Sequence, residues 1–220
     1  MSSEPIPPAN LVAWRKTERT RQIAHRAELS ADQRSAQTVA MVQRLAVLVR
    51  ALTAAPRTTT TVPTATTNAE TIISLYWPIR AEPDLRPWME ALHARGVRVA
   101  LSIATALHQP LTFREWRPHA PMAHGLWNIP YPAEGQTLTP TMIIAPVVAF
   151  DPQCFRLGYG GGFFDRTLAM MTPKPITIGV GYDGCAIPTI YPQSHDIALD
   201  FIVTARSTFD RARTANAGHL

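Results

Sequence analysis

The feature that most constrains this chain is a run of four glycines within residues 158–162. The segment before it, 142–150, is apolar and rich in β-branched residues, which predicts a buried strand. After it Phe164, Leu168 and Met171 recur at i, i+4 and i+7, which is the spacing of one face of a helix. We therefore predict a strand, a glycine-rich loop and a helix in direct succession.

This loop has the composition of an anion-binding site. Glycine accepts φ > 0 and places no Cβ between the backbone amides and a ligand. The first amides of the following helix lack hydrogen-bond partners, and the helix dipole favours an anion there. Arg156 and Asp165 flank the loop, and such a pair can serve a nucleotide and its magnesium ion. The alternative is a tight turn that only lets the helix pack on the sheet, and the glycine density with two charged flanks favours the ligand site.

The glycine spacing matches neither the P-loop nor the dinucleotide-binding fingerprint. The longer string is more specific. Phe150-Asp151, followed by Arg-Leu-Gly-Tyr-Gly-Gly-Gly-Phe-Phe-Asp-Arg at 156–166, resembles the signature of the 5-formyltetrahydrofolate cyclo-ligase family, also called 5,10-methenyltetrahydrofolate synthetases. The resemblance extends in matching order from about residue 14 to 204. It implies an α/β fold in one domain, 1–220: a layered, Rossmann-like arrangement with a mostly parallel sheet flanked by helices.

The resemblance also implies a reaction. ATP and 5-formyltetrahydrofolate, with or without a polyglutamyl tail, would give 5,10-methenyltetrahydrofolate, ADP and phosphate. In the family's scheme the formyl oxygen attacks the γ-phosphate to form an iminophosphate. N10 then attacks the activated carbon, the ring closes and phosphate leaves. ATP would be the co-substrate, Mg²⁺ the metal, and Asp165 a ligand of that metal.

The predicted nucleotide site includes a basic first helix, which we place at 11–28. This helix resembles the family's K-x-x-L-R pattern, with Arg15 at the lysine, Glu18 at the leucine and Arg19 at the arginine; Lys16 can substitute from the adjacent position. The alternative is a solvated basic face. The predicted ATP-binding residues are Arg15, Lys16, Arg19, Arg156, Gly158, Tyr159, Gly160, Gly161, Gly162, Phe163, Phe164 and Asp165.

The predicted folate site begins after the strand at 71–76. A helix follows, with Leu85, Trp88, Met89 and Leu92 on one face and Gly96 at its end, and then a strand at 98–103. Strand, helix and strand imply a parallel sheet, in which ligands gather at the carboxyl ends of the strands.

Tyr76, Trp77 and Glu82 lie at such an end and resemble the family's Y-x-P…E segment, whose glutamate contacts the folate. Glu82 could instead favour the dipole of the coming helix. The segment 122–132, predicted to be loop-like, resembles the family's G-x-x-x-I-x-E-P. Trp127 in it could stack on a pterin or lie half-buried in the core, and Tyr131 stands in the place of the family's glutamate. These five residues are the predicted substrate-binding set.

The rest of the chain predicts ordinary structure. Ser30 and Gln33 have the spacing of a capping box. A second helix follows, and we predict strands at 111–116 and 176–181, a mobile tail at 1–10 and a surface loop at 56–69. We predict a structural loop at His195-Asp196, and the alternative is that His195 orients the site by a hydrogen bond. The chain from Asp210 onward is predicted to fray. The apolar stripe of the second helix is predicted at Val39, Val42, Leu45, Ala46, Val49 and Leu52.

Composition limits the cellular context. The net charge is +5, and only Lys16 and Lys174 are lysines. The excess of arginine is either a compositional bias or an attraction for anionic ligands. No basic-aromatic motif is visible, so no nucleic-acid partner is expected, and RNA binding stays a weaker alternative motivated by charge alone. No apolar run suits a membrane span and no signal peptide is visible, so we expect a cytoplasmic protein. Cys154 and Cys185 could be paired or free.

The main alternative is a folate- or nucleotide-binding protein of the same fold that has lost turnover. It is motivated by Arg15, Tyr131 and Phe164, each of which departs from the residue usual in the family. Phe164 replaces a tyrosine, so a hydroxyl contact is lost there while the ring can still pack. A turnover assay separates the two functions.

Overall fold

The structure is a computed structural model that describes residues 6–54 and 70–217, without the side chains of 215–217. The surface loop predicted at 56–69 and the first five residues of the predicted tail lie outside the described residues. Five α-helices are present in the described part of the chain: α1 Leu11–Glu28, α2 Ala31–Ala54, α3 Arg86–Ala94, α4 Phe163–Met170 and α5 Arg211–Ala217. The strands there are β1 Ile72–Leu75, β2 Arg98–Ile103, β3 Thr112–Trp116, β4 Met122–His124, β5 Pro130–Pro132, β6 Met142–Pro146, β7 Ala149–Phe150, β8 Arg156–Leu157, β9 Ile176–Val180, β10 Phe201–Val203 and β11 Thr208–Asp210.

Seven strands form the central sheet in the order β11-β10-β9-β6-β1-β2-β3. The five inner strands are parallel, and β3 and β11 close the two edges in antiparallel pairings. From β1 the chain goes to β2 on one side, whereas β6, β9 and β10 follow one another on the other side. The mostly parallel α/β fold expected from the resemblance is confirmed.

The direction of chain progression therefore reverses between β1 and β6. Ligands of open α/β sheets bind at the carboxyl ends of the strands at such a reversal. The segments that leave β1 and β6 are Tyr76–Glu82 and, after the hairpin of β7 and β8, the glycine loop.

Helices cover both faces of the sheet. On one face, α2 and α3 pack against the apolar side chains of the central strands, and on the other α4 contributes Leu168. The predicted capping box of α2 is confirmed: the Gln33 amide donates to Ser30 Oγ at 3.1 Å, and the Ser30 amide donates to Gln33 Oε1 at 2.8 Å.

The predicted apolar stripe of the second helix was wrong at Val39. The residues of α2 that are fully buried are Met41, Leu45 and Val49, and Val39 is 57% exposed. Val39 lies about 200° around the helix from Met41, so both cannot face the sheet. An alanine- and valine-rich helix offers several similar stripes, and the contact with the sheet selects one of them.

The segment 142–150 is not one strand. β6 ends at Pro146, where the Val147 amide still bonds the Val180 carbonyl of the sheet at 2.9 Å. The next amide, that of Val148, donates instead to the Leu157 carbonyl, also at 2.9 Å. The chain thus leaves the sheet to form the hairpin of β7 and β8, which carries Arg156 to the edge of the glycine loop.

The segment 122–132, predicted to be loop-like, is a two-stranded hairpin of β4 and β5. Its prolines suggested a loop because proline cannot donate a ladder hydrogen bond. In the observed register Pro130 and Pro132 pair with His124 and Met122. The Gly125 amide donates to the Ile129 carbonyl, so these two residues form a hydrogen-bonded pair. Hydrogen-bonded and non-hydrogen-bonded pairs alternate along an antiparallel ladder, so both prolines lie in non-hydrogen-bonded pairs, where no N–H is needed.

The end of the chain is also more ordered than predicted. Thr208–Asp210 forms an edge strand beside β10, and Arg211–Ala217 is helical. Asp210 caps this helix, since its Oδ1 accepts from the Ala212 amide at 2.9 Å. The prediction that the chain frays from Asp210 onward was therefore wrong, since Asp210 begins a helix.

Both cysteines are free and buried. Burial raises the pKa of each thiol to about 12. Within the described residues no helix is long and apolar enough to cross a bilayer.

Gly179 in β9 provides a stability test of the packed sheet. A Cβ at this position would overlap Ile202 Cδ1 and would lie 2.9 Å from both Leu199 Cδ1 and Val147 Cγ1. We expect Gly179→Ala to lower the free energy of unfolding by about 1–3 kcal/mol, because overpacking forces neighbours to shift. Urea denaturation measures this. Gly158→Ala is the control, since nothing lies within 4 Å of its Cβ position, and an equal loss in both variants would contradict the packing argument.

Candidate functional site

A cavity of about 700 Å³ opens at the reversal point of the sheet. The carboxyl ends of β1, β2 and β6 form its floor, and the hairpin of β4 and β5 forms part of its wall. The glycine loop, the start of α4 and the segment after β1 also face it. Among the residues predicted for ATP and substrate binding, all except Lys16 line this cavity.

The glycine loop exposes backbone donors to the cavity. Gly160 and Gly162 have φ of 91° and 64°, so the turn needs residues without a Cβ. Gly162 immediately precedes α4, and the amides of Phe163, Phe164 and Asp165 form the first turn of the helix. These amides have no partner within the helix. The glycine loop therefore leads directly into α4, as predicted, although the hairpin of β7 and β8 separates it from β6.

Arg19 of α1 lies against this loop. Its Nε donates to the Gly158 carbonyl at 2.8 Å, and its guanidinium carbon is 3.5 Å from where a Cβ of Gly160 would be. Burial and the neighbouring charge of Arg15 lower the pKa of Arg19. Its two terminal nitrogens form no hydrogen bond with the described residues, so they can donate to a ligand.

Arg15 is engaged differently. Its Nη2 and Nη1 contact the two oxygens of Asp196 at 2.6 and 3.2 Å, and it also donates to the carbonyls of Ile190 and Tyr191. Arg15 thereby fixes the loop that precedes β10 and presents one edge to the cavity. Lys16, the adjacent cation in the predicted set, is exposed and lies outside the cavity.

Arg156 and Asp165 form a pair across the glycine loop. Arg156 Nη1 donates to Asp165 Oδ1 at 3.2 Å and to the Ile197 carbonyl at 3.1 Å. The guanidinium carbon of Arg156 lies 5.4 Å from the ring centre of Phe164. Burial lowers the pKa of Arg156, while Asp165 acts in the opposite direction. Asp165 Oδ1 also accepts from the Ile197 amide, whereas Oδ2 accepts no hydrogen bond from the described residues.

Glu82 anchors the opposite side of the cavity. It is 5% exposed, and its Oε2 accepts from the Ile79 amide at 2.9 Å. Burial raises the pKa of Glu82, against the opposing effects of that amide and of Arg26. The Ile79–Glu82 turn has positive φ at two non-glycine residues, Arg80 and Ala81. Such a conformation costs free energy and persists only where the surroundings hold it.

The three tyrosines near the cavity have different roles. Tyr76 is buried, and its hydroxyl is already engaged because it donates to the Pro83 carbonyl at 2.8 Å. The Tyr159 hydroxyl donates to Glu82 Oε1 at 2.9 Å, which directs this residue of the glycine loop toward the predicted folate side. Tyr131 packs on Arg114, whose guanidinium carbon is 5.4 Å from the ring centre.

The β4–β5 hairpin brings a flat surface to the cavity. Trp127 has φ of 56° and is 60% exposed, so it lies outside the apolar core. Its ring meets Phe163 of α4 edge to face, with centres 5.6 Å apart. Trp77 lies on the far side under Arg86, whose guanidinium carbon is 5.0 Å from the ring centre. Gly125 allows this arrangement, since its Cβ would lie 3.1 Å from the Tyr131 ring.

Two further residues of the site were not predicted. Arg80 lines the cavity, and Arg26 supports it from behind by donating to the Tyr159 hydroxyl at 2.6 Å. His195, predicted to lie in a structural loop, also lines the cavity. Arg26 belongs to the basic run of α1, which was the available signal, but only the packing shows which of its arginines are buried. Within the described residues no group of three or more His, Cys, Asp and Glu side chains converges on a metal position.

A model of the 5-formyltetrahydrofolate cyclo-ligase family matches residues 11–205. The chain belongs to the 5-formyltetrahydrofolate cyclo-ligase family. This confirms the resemblance and assigns the chain to a family of ligases. The match begins with α1, so the basic helix is part of the family's domain.

Curated relatives share moderate identity with this chain. The 5-formyltetrahydrofolate cyclo-ligase of Mycolicibacterium smegmatis is 30% identical over 142 residues, covering 61% of this chain and 73% of that protein. The Escherichia coli K12 cyclo-ligase is 28% identical over 145 residues, covering 63% of this chain and 80% of that protein.

Solved structures of the family have the same fold. The 5,10-methenyltetrahydrofolate synthetase of Aquifex aeolicus superposes with a TM-score of 0.71 at 22% identity, over 90% of this chain and 92% of that chain. The Mycoplasma pneumoniae synthetase gives 0.66 at 19% identity, over 87% and 98%.

The ion pair of Arg15 and Asp196 predicts that the free energy of unfolding decreases at acid pH. Burial acts to raise the pKa of Asp196, but the hydrogen bonds from Arg15 and Gln193 and the charge of Arg15 outweigh it, and the pKa is lowered. A carboxyl with a lowered folded pKa contributes stability above its unfolded pKa, about 3.9. That contribution is lost as pH falls through the folded pKa.

We expect Asp196→Asn to lower the free energy of unfolding at pH 7 by about 3 kcal/mol, because Arg15 loses its buried counter-charge. The variant should also lose part of the acid-induced destabilisation in urea melts below pH 5. Asp84→Asn is the matched control: Asp84 pairs with Arg86 at the same 2.6 Å, but these side chains are 43% and 44% exposed. An exposed pair contributes at most about 1 kcal/mol, so equal losses would contradict the assignment.

Proposed function

We propose that this chain catalyses the ATP-dependent cyclisation of 5-formyltetrahydrofolate to 5,10-methenyltetrahydrofolate, with release of ADP and phosphate. The observation that carries the proposal is one cavity at the reversal point of the sheet, with a backbone anion cradle on one side and a buried carboxylate and aromatic rings on the other. Family membership supports the same reaction.

The glycine-loop side suits the triphosphate. Transfer of a phosphoryl group requires mainly positioning and neutralisation of charge. The terminal nitrogens of Arg19 and the amides at the start of α4 are donors that face this part of the cavity. Arg156 adds a buried positive charge beside them. Arg15 contributes charge as well, although Asp196 already compensates part of it.

One carboxylate is suited to magnesium. Asp165 Oδ2 accepts no hydrogen bond from the described residues, and Asp165 lines the cavity beside the phosphate cradle. Mg²⁺ in nucleotide sites is commonly held by one or two carboxylates together with phosphate oxygens and waters. The absence of a larger acidic cluster in the described residues is compatible with such a site. When bound, the ion would neutralise phosphate charge.

The folate side would be formed by Glu82, Tyr76, Trp77, Trp127 and Tyr131. Glu82 is an acceptor for ring N–H groups of a pterin, and its burial strengthens such a bond because water does not compete. The exposed face of Trp127 can stack on a flat ring. Enclosure would hold the formyl oxygen beside the γ-phosphate and keep water away.

Product formation tests the function directly. Purified protein with MgATP and 5-formyltetrahydrofolate should form methenyltetrahydrofolate, followed by its absorbance. Protein that binds both substrates and forms no product would favour the binding-only alternative. Omitting either MgATP or the folate serves as the control.

Arg19 tests the phosphate side. We expect Arg19→Ala to raise the apparent MgATP constant at least about tenfold, which corresponds to about 1.4 kcal/mol, within the range of a charge-assisted hydrogen bond. The folate constant should change much less. Arg21→Ala is the matched control, since Arg21 lies on the same helix with its side chain 61% exposed and outside the cavity. Similar effects of both variants would indicate a general loss of positive charge rather than a contact.

Asp165 tests the metal side. We expect Asp165→Asn to shift the magnesium dependence of turnover to higher concentration, because the amide keeps the shape but loses the charge. A first-turn carboxylate also favours the helix dipole, by typically 0.3–1 kcal/mol. A magnesium titration beside a thermal melt separates the two roles, and a destabilised variant with unchanged magnesium dependence would rule out the metal contact.

The finer expectations stay predictions. A cytoplasmic location is supported by the two free thiols, which a reducing compartment would preserve. Use of polyglutamylated folate is supported only by the positive charge of the chain.

A further inference from the structure

Tyr159 joins the two halves of the cavity. It lies inside the glycine loop, between Gly158 and Gly160, yet its side chain turns away from the phosphate cradle. The hydroxyl donates to Glu82 Oε1 at 2.9 Å and accepts from Arg26 Nη2 at 2.6 Å. One phenol group therefore connects a backbone segment suited to phosphate with the carboxylate suited to folate.

The ring makes a second connection to the same turn. The guanidinium carbon of Arg80 lies 5.2 Å from the Tyr159 ring centre, and that of Arg26 lies 5.9 Å from it. Arg80 and Glu82 both belong to the Ile79–Glu82 turn, which has two non-glycine residues at positive φ. A strained turn needs outside contacts to keep its conformation, and Tyr159 supplies two of them.

Arg26 makes this contact strong. Its side chain is buried, with the residue 6% exposed, and its Nε and Nη1 have no hydrogen-bond partner among the described residues. The Tyr159 hydroxyl is thus the hydrogen-bond acceptor that this part of the structure offers to a buried cation. The same hydroxyl donates to the buried carboxylate of Glu82, so it links the buried cation to the buried anion. Arg26 and Glu82, the two ends of this chain of hydrogen bonds, are buried charges, and hydrogen bonds in such a chain polarise one another.

We infer that Tyr159 is a positioning residue that couples the two substrates: a nucleotide that orders the glycine loop fixes the Tyr159 hydroxyl, and this hydroxyl holds Glu82 in the orientation that binds the folate. The inference rests on the proposed function. It assigns Tyr159, predicted from the sequence to contact ATP, to communication between the sites. Coupling is expected because Tyr159 belongs to the glycine loop, so a ligand that restrains the loop backbone also restrains the hydroxyl from which Glu82 accepts.

Equilibrium binding measures the coupling. The dissociation constant of 5-formyltetrahydrofolate is determined by calorimetry with and without a saturating magnesium complex of β,γ-imido ATP, which is not hydrolysed. We expect the nucleotide to tighten folate binding at least about fivefold in the wild-type protein, and less than about twofold in Tyr159→Phe. The effect of folate on nucleotide binding must change by the same factor, because coupling is reciprocal.

Tyr182→Phe is the matched control. It also removes the hydroxyl of a buried tyrosine, and Tyr182 lies outside the cavity. Loss of a hydroxyl should lower the melting temperature of both variants. The coupling between the two ligands should fall only in Tyr159→Phe and should stay at the wild-type value in Tyr182→Phe. Combining Tyr159→Phe with Glu82→Gln provides a further check, since the two changes should abolish the same coupling and not add.

The outcomes separate the inference from the function. If both ligands bind and the coupling is equal in wild-type protein and Tyr159→Phe, the inference is wrong and the proposed function stands. If the wild-type protein binds both ligands without coupling, the inference is equally wrong. If either ligand fails to bind the wild-type protein, the proposed function fails and the inference fails with it.

Discussion

The adjacency of β1 and β6 in the middle of the sheet is the constraint on which the site depends. Because the chain progresses outward in opposite directions from these two strands, the segments that leave their carboxyl ends cannot cover each other and a crevice opens between them. Tyr76–Glu82 enters this crevice from β1. The glycine loop enters it after a short hairpin that leaves β6. Their meeting is a result of topology, since the two segments lie far apart in the sequence.

The cavity brings opposite charges together, and three of them, Arg15, Arg156 and Glu82, are buried. Four arginines and three carboxylates line it: Arg15, Arg19, Arg80, Arg156, Glu82, Asp165 and Asp196. Two of the arginines are committed to carboxylates, Arg15 to Asp196 and Arg156 to Asp165. Arg19 keeps its terminal nitrogens free. The internal pairs support the shape of the site, and Arg19, which lies against the glycine loop, keeps donors that can bind a phosphate.

Features of this site that depend only on residues close together in the sequence were predicted, whereas features that depend on a partner from elsewhere in the chain were not. The glycine loop, the capping box at Ser30 and the end of α3 at Gly96 follow from local backbone preferences, and each was predicted. The β4–β5 hairpin was missed because its prolines are harmless only in one register, which the partner strand selects. The helix start at Asp210 was missed because its cap is indistinguishable in the sequence from a polar terminal residue.

The folate and phosphate residues were found by motif, but their individual contacts were not. Arg15 and Lys16 are neighbours in the sequence and were alternatives for one role. The structure separates them, since a turn of 100° per residue points Arg15 to Asp196 and leaves Lys16 exposed. Tyr159 was grouped with the glycines beside it, although its hydroxyl bonds a carboxylate that precedes it by 77 residues.

By itself, the sequence determined the family, the order of strands and helices along most of the chain, and the residues that could carry the chemistry. These properties depend on local preferences and on motifs within short stretches. Only the tertiary structure decided which arginines of the cavity are paired with carboxylates and which keep free donors. It also decided that Tyr159 joins the two sides of the cavity. The physical reason is that hydrogen bonds and ion pairs act over about 3 Å, and only folding brings such groups from α1, the turn after β1, the glycine loop and the loop before β10 to that distance.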